Sequence, residues 1–311
     1  MSNQGVMAQT NTTADKDFIL LAFTDLHQFQ ILLFLVFLLI YITCMVGNIA
    51  IILIIKMDTC LHTPMYIFIS LFAASEYFFM SSTVPNLLSN LIGNTKSISF
   101  AGCFAQFYAV CTLGGTECYL LAVMAFDRDL AINFPLRYSA IMSQSLCIKL
   151  GIFPWILCLS IASLPTIFTL GMEFCGPKEL NHFICDLGPL EHIACSVPFI
   201  NKMIVIFTAL SEIVSPFIIT IVFYIHIITT ILNIRSTIGK KKAFSTCSSH
   251  LMVASLFYST AIIVYMTPQG SHEKYLALIY NVVTPLINPF IYTLRNKDVI
   301  KAFKKLKAKL S

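Results

Sequence analysis

Apolar residues in this chain run in long unbroken blocks separated by short polar stretches, without the strict alternation that marks a half-buried strand. The blocks fall at approximately 29–55, 64–92, 101–126, 147–170, 200–232, 244–267 and 275–294. A bilayer crossing needs about 20 mostly apolar residues, and in hydrocarbon a lone segment satisfies its own backbone hydrogen bonds as a helix. The second block is the least clean, because Glu76 interrupts it and Pro85 predicts a kink near its later end. The third carries Glu117, and the fifth carries Glu212 and Pro216. The pattern predicts an all-α membrane protein with seven spanning helices.

A different periodicity closes the chain. Val299, Ile300, Phe303, Leu306 and Leu310 recur at helical spacing, while Lys301, Lys304, Lys305, Lys307 and Lys309 fill most of the other places. This predicts a short basic amphipathic helix lying on an anionic leaflet. The expected organisation is a head at 1–28, a seven-helix domain at 29–294 with a lid loop at about 171–200, and a tail at 295–311. No soluble second domain, repeat or low-complexity linker is read between them.

Composition agrees with the pattern. The chain is 57% hydrophobic and 11% charged, where a soluble domain carries roughly 25% charged residues. With the head outside, 15 of the 20 lysines and arginines fall on inner segments and 5 on outer ones. The excess of positive charge inside therefore gives the same orientation, head out and tail in. The first 28 residues show no basic leader with a short apolar core, so the first block is expected to serve as its own insertion signal. Asn11-Thr12-Thr13 in this head is a candidate glycosylation site.

The 11 cysteines divide by expected location. Cys103, Cys175, Cys185 and Cys195 fall on the oxidising outer side, where disulfides persist, and four cysteines allow three pairings. The others lie in or beside helices and serve as small apolar side chains. The lid is long for a loop, so a packed and functional role is expected. His182 and His192 fit no common zinc spacing with the lid cysteines, and no enzyme, metal or nucleic-acid chemistry is read from the chain. Paired repeats that would suggest a transporter are not seen either.

Ionisable groups within a bilayer usually line a cavity or pathway. Asn48, Glu76, Glu117 and Asn288 could converge on an interior polar cluster, with a sodium ion at Glu76 and Glu117 as a candidate occupant. Interhelical hydrogen bonds that only fix packing are the alternative. Glu212 lies about one turn before Pro216. It either meets a cationic or hydrogen-bonding ligand or is a neutral carboxyl bonded to Ser211, Thr208 or backbone. No other cofactor is expected.

Several short motifs then occur in order. Leu61-His62-Thr63-Pro64-Met65-Tyr66 resembles the LHTPMY signature of vertebrate odorant receptors, and Met124-Ala125-Phe126-Asp127-Arg128 the start of their MAYDRY motif. Pro135-Leu136-Arg137-Tyr138 is similar to the PLxY that follows. The run from Lys242 to Leu251 is similar to KAFSTCxSHL, and Pro285-Leu286-Ile287-Asn288-Pro289-Phe290-Ile291-Tyr292 to PxxNPxIY. The resemblance spans Phe18 to about Lys301, and Thr116-Glu117-Cys118, with Cys175-Gly176-Pro177 and His182-Phe183-Ile184-Cys185-Asp186-Leu187 of the lid, resembles the larger tetrapod-type class.

That resemblance implies a rhodopsin-like bundle in the plasma membrane of sensory cilia. It implies a small volatile odorant as ligand and a heterotrimeric G protein of the stimulatory olfactory type as partner, with a rise in cyclic AMP. It implies disulfides Cys103–Cys185 and Cys175–Cys195. Its pocket, carried onto this chain, comprises Val110, Cys111, Gly114, Gly115, Thr208, Glu212, Tyr258, Ala261, Ile262, Tyr265, Leu278 and Asn281. Its inner switch comprises Asp127, Arg128, Asp129, Tyr224, His250, Asn288, Pro289 and Tyr292, with Tyr258 as the trigger between. Lys240, Lys241 and Lys242 are read as marking the inner face.

The chain also departs from the family pattern. Asp129 replaces the Tyr after Arg128, Asn133 a Cys, Phe223 the Ser before Tyr224, and Glu76 the usual Asp. Asp129 is expected to place a second carboxylate within reach of Arg128 and so to over-stabilise the resting state. A poorly coupling receptor, or a rhodopsin-like receptor for a non-odorant small molecule, is the alternative. Val110 stands where aminergic receptors carry an Asp, which disfavours a receptor of that type.

Overall fold

Local signals set the helix starts. Thr63 and Pro64 open the second span, with proline at the position where its missing N–H is harmless. Ser99 Oγ accepts from the Gly102 N–H at 3.1 Å to cap the third, and Ser143 Oγ accepts from Leu146 N–H at 3.4 Å to cap the fourth. The computed structural model describes residues 17–93, 96–266, 273–294 and 296–310. Asn11 lies outside them, as does the side chain of Tyr265.

Seven helices in the described residues are long and apolar enough to cross a membrane. The first five are Gln30–Met57, Pro64–Ile92, Phe100–Asn133, Gln144–Leu170 and a composite fifth from Phe199 to Asn233. The sixth is Thr237–Met266, and the seventh runs from Glu273 to Leu294 in pieces. The second helix continues through Pro85, so the expected kink does not break it. The most apolar window of the third span is 72% buried, against 17% in the first and fifth. The third is therefore the central column, and the first and fifth turn large apolar side chains such as Ile31, Leu39 and Ile225 outward. Under the central column, Phe72 packs edge-on against both Phe257 and Tyr292.

The fifth and seventh spans share an irregularity with a common cause. Each contains a π turn, Leu210–Val214 and Ile279–Val283, followed closely by Pro216 and Pro285. A proline ring clashes with the carbonyl four residues earlier, here those of Glu212 and Asn281. Widening the helix at those residues relieves the clash.

One end of the bundle is closed by the lid. Strand β1 (Phe18–Leu20) lies between β2 (Ser97–Ile98), antiparallel to it, and β3 (Glu179–Leu180), parallel to it. Disulfides join Cys103 to Cys185 and Cys175 to Cys195, with Cα separations of 5.3 and 5.0 Å. Gln106 adds a third tie, donating to the Ser82 carbonyl at 2.8 Å and accepting from the Cys185 N–H at 2.9 Å. Ala22 holds a left-handed backbone (φ 33°) unusual for a residue with a side chain. Its carbonyl receives Lys274 Nζ at 3.1 Å, and the same ammonium donates to Asn181 Oδ1 at 3.2 Å. Head, lid and seventh span are thus one unit.

The opposite end carries the tail helix, Lys297–Leu310. Val299 and Ala302 are buried against the bundle, while Phe303 is exposed. Lys305 Nζ reaches Asp58 at 3.4 Å, and Tyr66 donates to Asn296 Oδ1 at 3.1 Å. The Cys60 backbone N–H, and then the Lys305 ammonium, hold the Asp58 carboxyl below its ordinary range.

Candidate functional site: a cavity beneath the lid

A cavity of about 230 Å³ lies between the third and fifth spans and the lid. Of the expected residues, Val110, Cys111, Gly114, Gly115, Thr208 and Glu212 line it. Both glycines have a structural reason. A Cβ on Gly115 would stand 2.9 Å from Glu212 Cδ and 3.0 Å from Cys158 Sγ, and one on Gly114 would stand 3.0 Å from the Tyr280 hydroxyl. The space they release is taken by Glu212 and Tyr280, so the glycines admit polar side chains to the cavity wall.

Glu212 is 4% exposed, and its Oε1 has no hydrogen-bond partner among the described residues. Thr208 Oγ1, one turn earlier, is also buried without a partner. Neither Ser211 nor Thr208 bonds to Glu212 Oε1. The Ser211 carbonyl instead receives the hydroxyls of Tyr119 and Ser215, each at 2.7 Å.

The lid supplies a wall that sequence reasoning missed. A short helix, Leu187–Ile193, is capped by Asp186, whose Oδ1 accepts from the Leu187 N–H at 2.8 Å. Asp186, Leu187, Gly188 and Glu191 all face the cavity. Burial pushes the half-buried Glu191 carboxyl upward, with Lys202 opposing. The one available signal was the Asp-Leu-Gly-Pro sequence after Cys185, a capping residue before a proline-containing turn.

Tyr258, Ala261, Ile262, Leu278 and Asn281 do not line this cavity. Their places are taken by Val264 from the sixth span and Tyr280 from the seventh. The π turn explains the seventh span, because an extra residue per turn rotates the face that a regular helix would present. Asn281 instead donates back to the Ala277 carbonyl at 2.7 Å. Tyr258 sits deeper, donating to the Cys118 carbonyl at 2.8 Å and lying 3.3 Å from Thr220 Oγ1. It joins the third, fifth and sixth spans below the cavity floor.

Lower still, Asn288 donates to Glu76 Oε1, while Asn48 donates to Cys44 Sγ at 3.3 Å. Asn48, Glu76, Glu117 and Asn288 are all at most 2% exposed. The oxygens Asn48 Oδ1, Glu117 Oε1 and Asn288 Oδ1 have no donor. Such a set of acceptors suits a hard cation.

At the basic end, Arg128 pairs with Asp127, which also accepts from the Tyr138 hydroxyl at 2.6 Å. Burial, reinforced by that bond, pushes the Tyr138 hydroxyl above its ordinary range. Tyr224 and His250 are hydrogen-bonded and stacked, with ring centroids 5.6 Å apart. The Tyr292 hydroxyl is buried without a partner, and Pro289 packs against Gly47, whose missing Cβ would lie 3.0 Å away.

Asp129 requires a correction. Its partners are Asn133 Nδ2 at 2.6 Å and His226 Nδ1 at 2.8 Å, whereas Arg128 turns to Asp127. Successive residues of a helix point about 100° apart, so Asp129 faces the fifth span. Phe223 packs beside this group, 5.4 Å from Phe126. Three of the departures from the family pattern thus meet at one seam between the third and fifth spans.

Residues 37–309 match the family described as olfactory receptor. Olfactory receptor 11L1 of Homo sapiens is 42% identical over 304 residues, covering 96% of this chain and 94% of that protein. Olfactory receptor 2A25 of Homo sapiens is 44% identical over 300 residues, covering 95% and 97%. Olfactory receptor 1468 of Rattus norvegicus is 40% identical over 300 residues, covering 95% and 96%.

Proposed function

The chain belongs to the olfactory receptor family and is a multi-pass plasma-membrane odorant receptor of the G-protein-coupled class, and we propose that it takes its odorant in the cavity beneath the lid and signals through a stimulatory olfactory-type G protein to raise cyclic AMP. The observation that carries this reading is the pairing of a mostly apolar cavity beneath the lid, bearing unsatisfied polar atoms, with an arginine-centred switch at the far end. Small-molecule pockets have this make-up, apolar walls with a few polar anchors. The lid end faces outside and the basic end faces the cytoplasm, in keeping with the excess of lysine and arginine there. Sensory cilia are the expected location.

Signalling needs a ligand that contacts one helix arrangement better than another. Tyr258 stands between cavity and switch, holding the third, fifth and sixth spans through one hydroxyl. A ligand that draws the fifth and third spans together would shift that bond first, then the Tyr224–His250 contact below it. A sodium ion among Glu76, Glu117, Asn48 and Asn288 would hold the resting arrangement; the three acceptor oxygens without donors support it.

The test is cyclic AMP in cells expressing this chain with an olfactory-type G protein, against a broad odorant panel. Ala209→Trp, which fills the cavity from the fifth span, should abolish the response while surface expression is retained. An unchanged response in that variant overturns the cavity as the odorant site.

A further inference from the structure

The cavity carries a charge imbalance that identifies a ligand class. Three carboxylates face it, Glu212 from the fifth span and Asp186 and Glu191 from the lid. Among the described residues no lysine, arginine or histidine lines it; Lys202 acts on Glu191 from outside the lining. An acidic cluster alone would mean little, but Glu212 adds a separate observation. It is 4% exposed, and its Oε1 meets no donor among the described residues. A buried carboxylate without a partner is strongly unfavourable, and breaking or omitting one half of a buried pair carries the larger penalty. Thr208 Oγ1 is a second buried acceptor without a partner, one turn away on the same wall.

We propose that this cavity selects odorants bearing an ammonium group, with Glu212 as counter-ion and Thr208 as a further acceptor. The proposal rests on the cavity being the odorant site. An alkylammonium has three donors and no acceptor, as the lysine side chain does, which suits the Glu212 carboxylate and the Thr208 hydroxyl oxygen. The rest of the ligand lies against Phe107, Val110, Val205, Ile213 and Val264. The lid carboxylates favour entry of a cation over an anion. The third span carries Val110 and no carboxylate facing the cavity. The counter-ion therefore comes from the opposite wall, at the π turn that Pro216 imposes.

The experiment compares hexylamine, hexanol and hexanoate on the purified full chain in nanodiscs, read as ligand-induced shifts in melting temperature. Hexylamine should stabilise the receptor, and the other two should do so weakly or not at all. Glu212→Gln should weaken the hexylamine effect at least about tenfold in apparent affinity, the worth of a charge-assisted hydrogen bond. Thr208→Val should weaken it less. Each variant's melting without ligand reports whether it folds, and Thr208→Val tests the site even where Glu212→Gln does not. Hexanol as effective as hexylamine, or an undiminished amine effect in both variants, overturns the proposal. Cyclic AMP in cells separates the two readings. Robust signalling to alcohols but not amines sinks the ammonium assignment and leaves the receptor reading intact. Amine binding at Glu212 with no signalling sinks the receptor reading and leaves the site.

Discussion

The two ends of the bundle treat their carboxylates in opposite ways. At the lid end, Glu212 is buried beside a cavity with an oxygen that no group among the described residues meets. At the basic end, Asp127 holds Arg128 and Tyr138, Asp129 holds Asn133 and His226, and Asp58 holds Lys305. Each of these groups reaches another part of the chain. Polar atoms left unmatched favour whatever small molecule completes them. Polar atoms matched across helices resist movement until a partner is exchanged. One end is suited to recognition, the other to holding a state.

The sharpest way to break that contrast is to unmatch the basic end. Asp127→Asn leaves the partly buried Arg128 without its counter-ion, a change that costs up to about 3–5 kcal/mol where a fully buried pair loses one member. Basal cyclic AMP should rise severalfold, or surface expression should fall if the resting state is too weakened to export. Normal expression with unchanged basal signal would show that the Asp127–Arg128 pair does not hold the state.

A smaller effect is expected one residue away. Asp129→Tyr removes the carboxylate that Asn133 and His226 share, leaving only their mutual contact, and loosens the seam between the third and fifth spans. Net hydrogen bonds of this kind contribute about 0.5–1.5 kcal/mol each, so basal or odorant-driven cyclic AMP should rise by a few-fold. No change in either would remove Asp129 from the switch.

The smallest effect sharpens the lid side. His182 is buried in the lid, stacked on Phe183, and accepts the Ile184 N–H at 3.2 Å. Burial holds its imidazole below the ordinary range, opposed by Asp186 and reinforced by Lys274. The unfolded chain gains a proton on this residue near pH 6.5, and the folded chain gains it only at lower pH. Stability is therefore full above that pH and falls as pH drops through it. Melting temperature of the purified receptor should decline between about pH 7 and 5.5, and His182→Gln should flatten that slope. An identical slope in the variant would assign the pH response elsewhere.

The seven spans were legible because apolar block length is imposed by the bilayer and survives any local irregularity. The fifth-span wall was legible too, since Glu212 and Thr208 lie on one helical face. Tyr280 was not, because the π turn ahead of Pro285 rotates the seventh span in a way that 3.6-residue periodicity does not show. Asp186 and Glu191 were hidden for another reason. They enter the cavity through a lid whose course is set by two disulfides and a strand pairing distant in sequence. Asp129 was misplaced because its neighbour in sequence was taken for its neighbour in space.

The small sheet of the lid has a consequence in time. Strand β1 precedes the first span, yet it pairs in parallel with Glu179–Leu180, which emerge only after four spans have been made. Until then β1 can pair only with β2, which follows the second span, and its other edge stays open. A receptor whose fourth span or lid is delayed presents that loose strand to the quality-control machinery of the secretory pathway. Its edge offers unpaired backbone donors and acceptors of the kind chaperones bind.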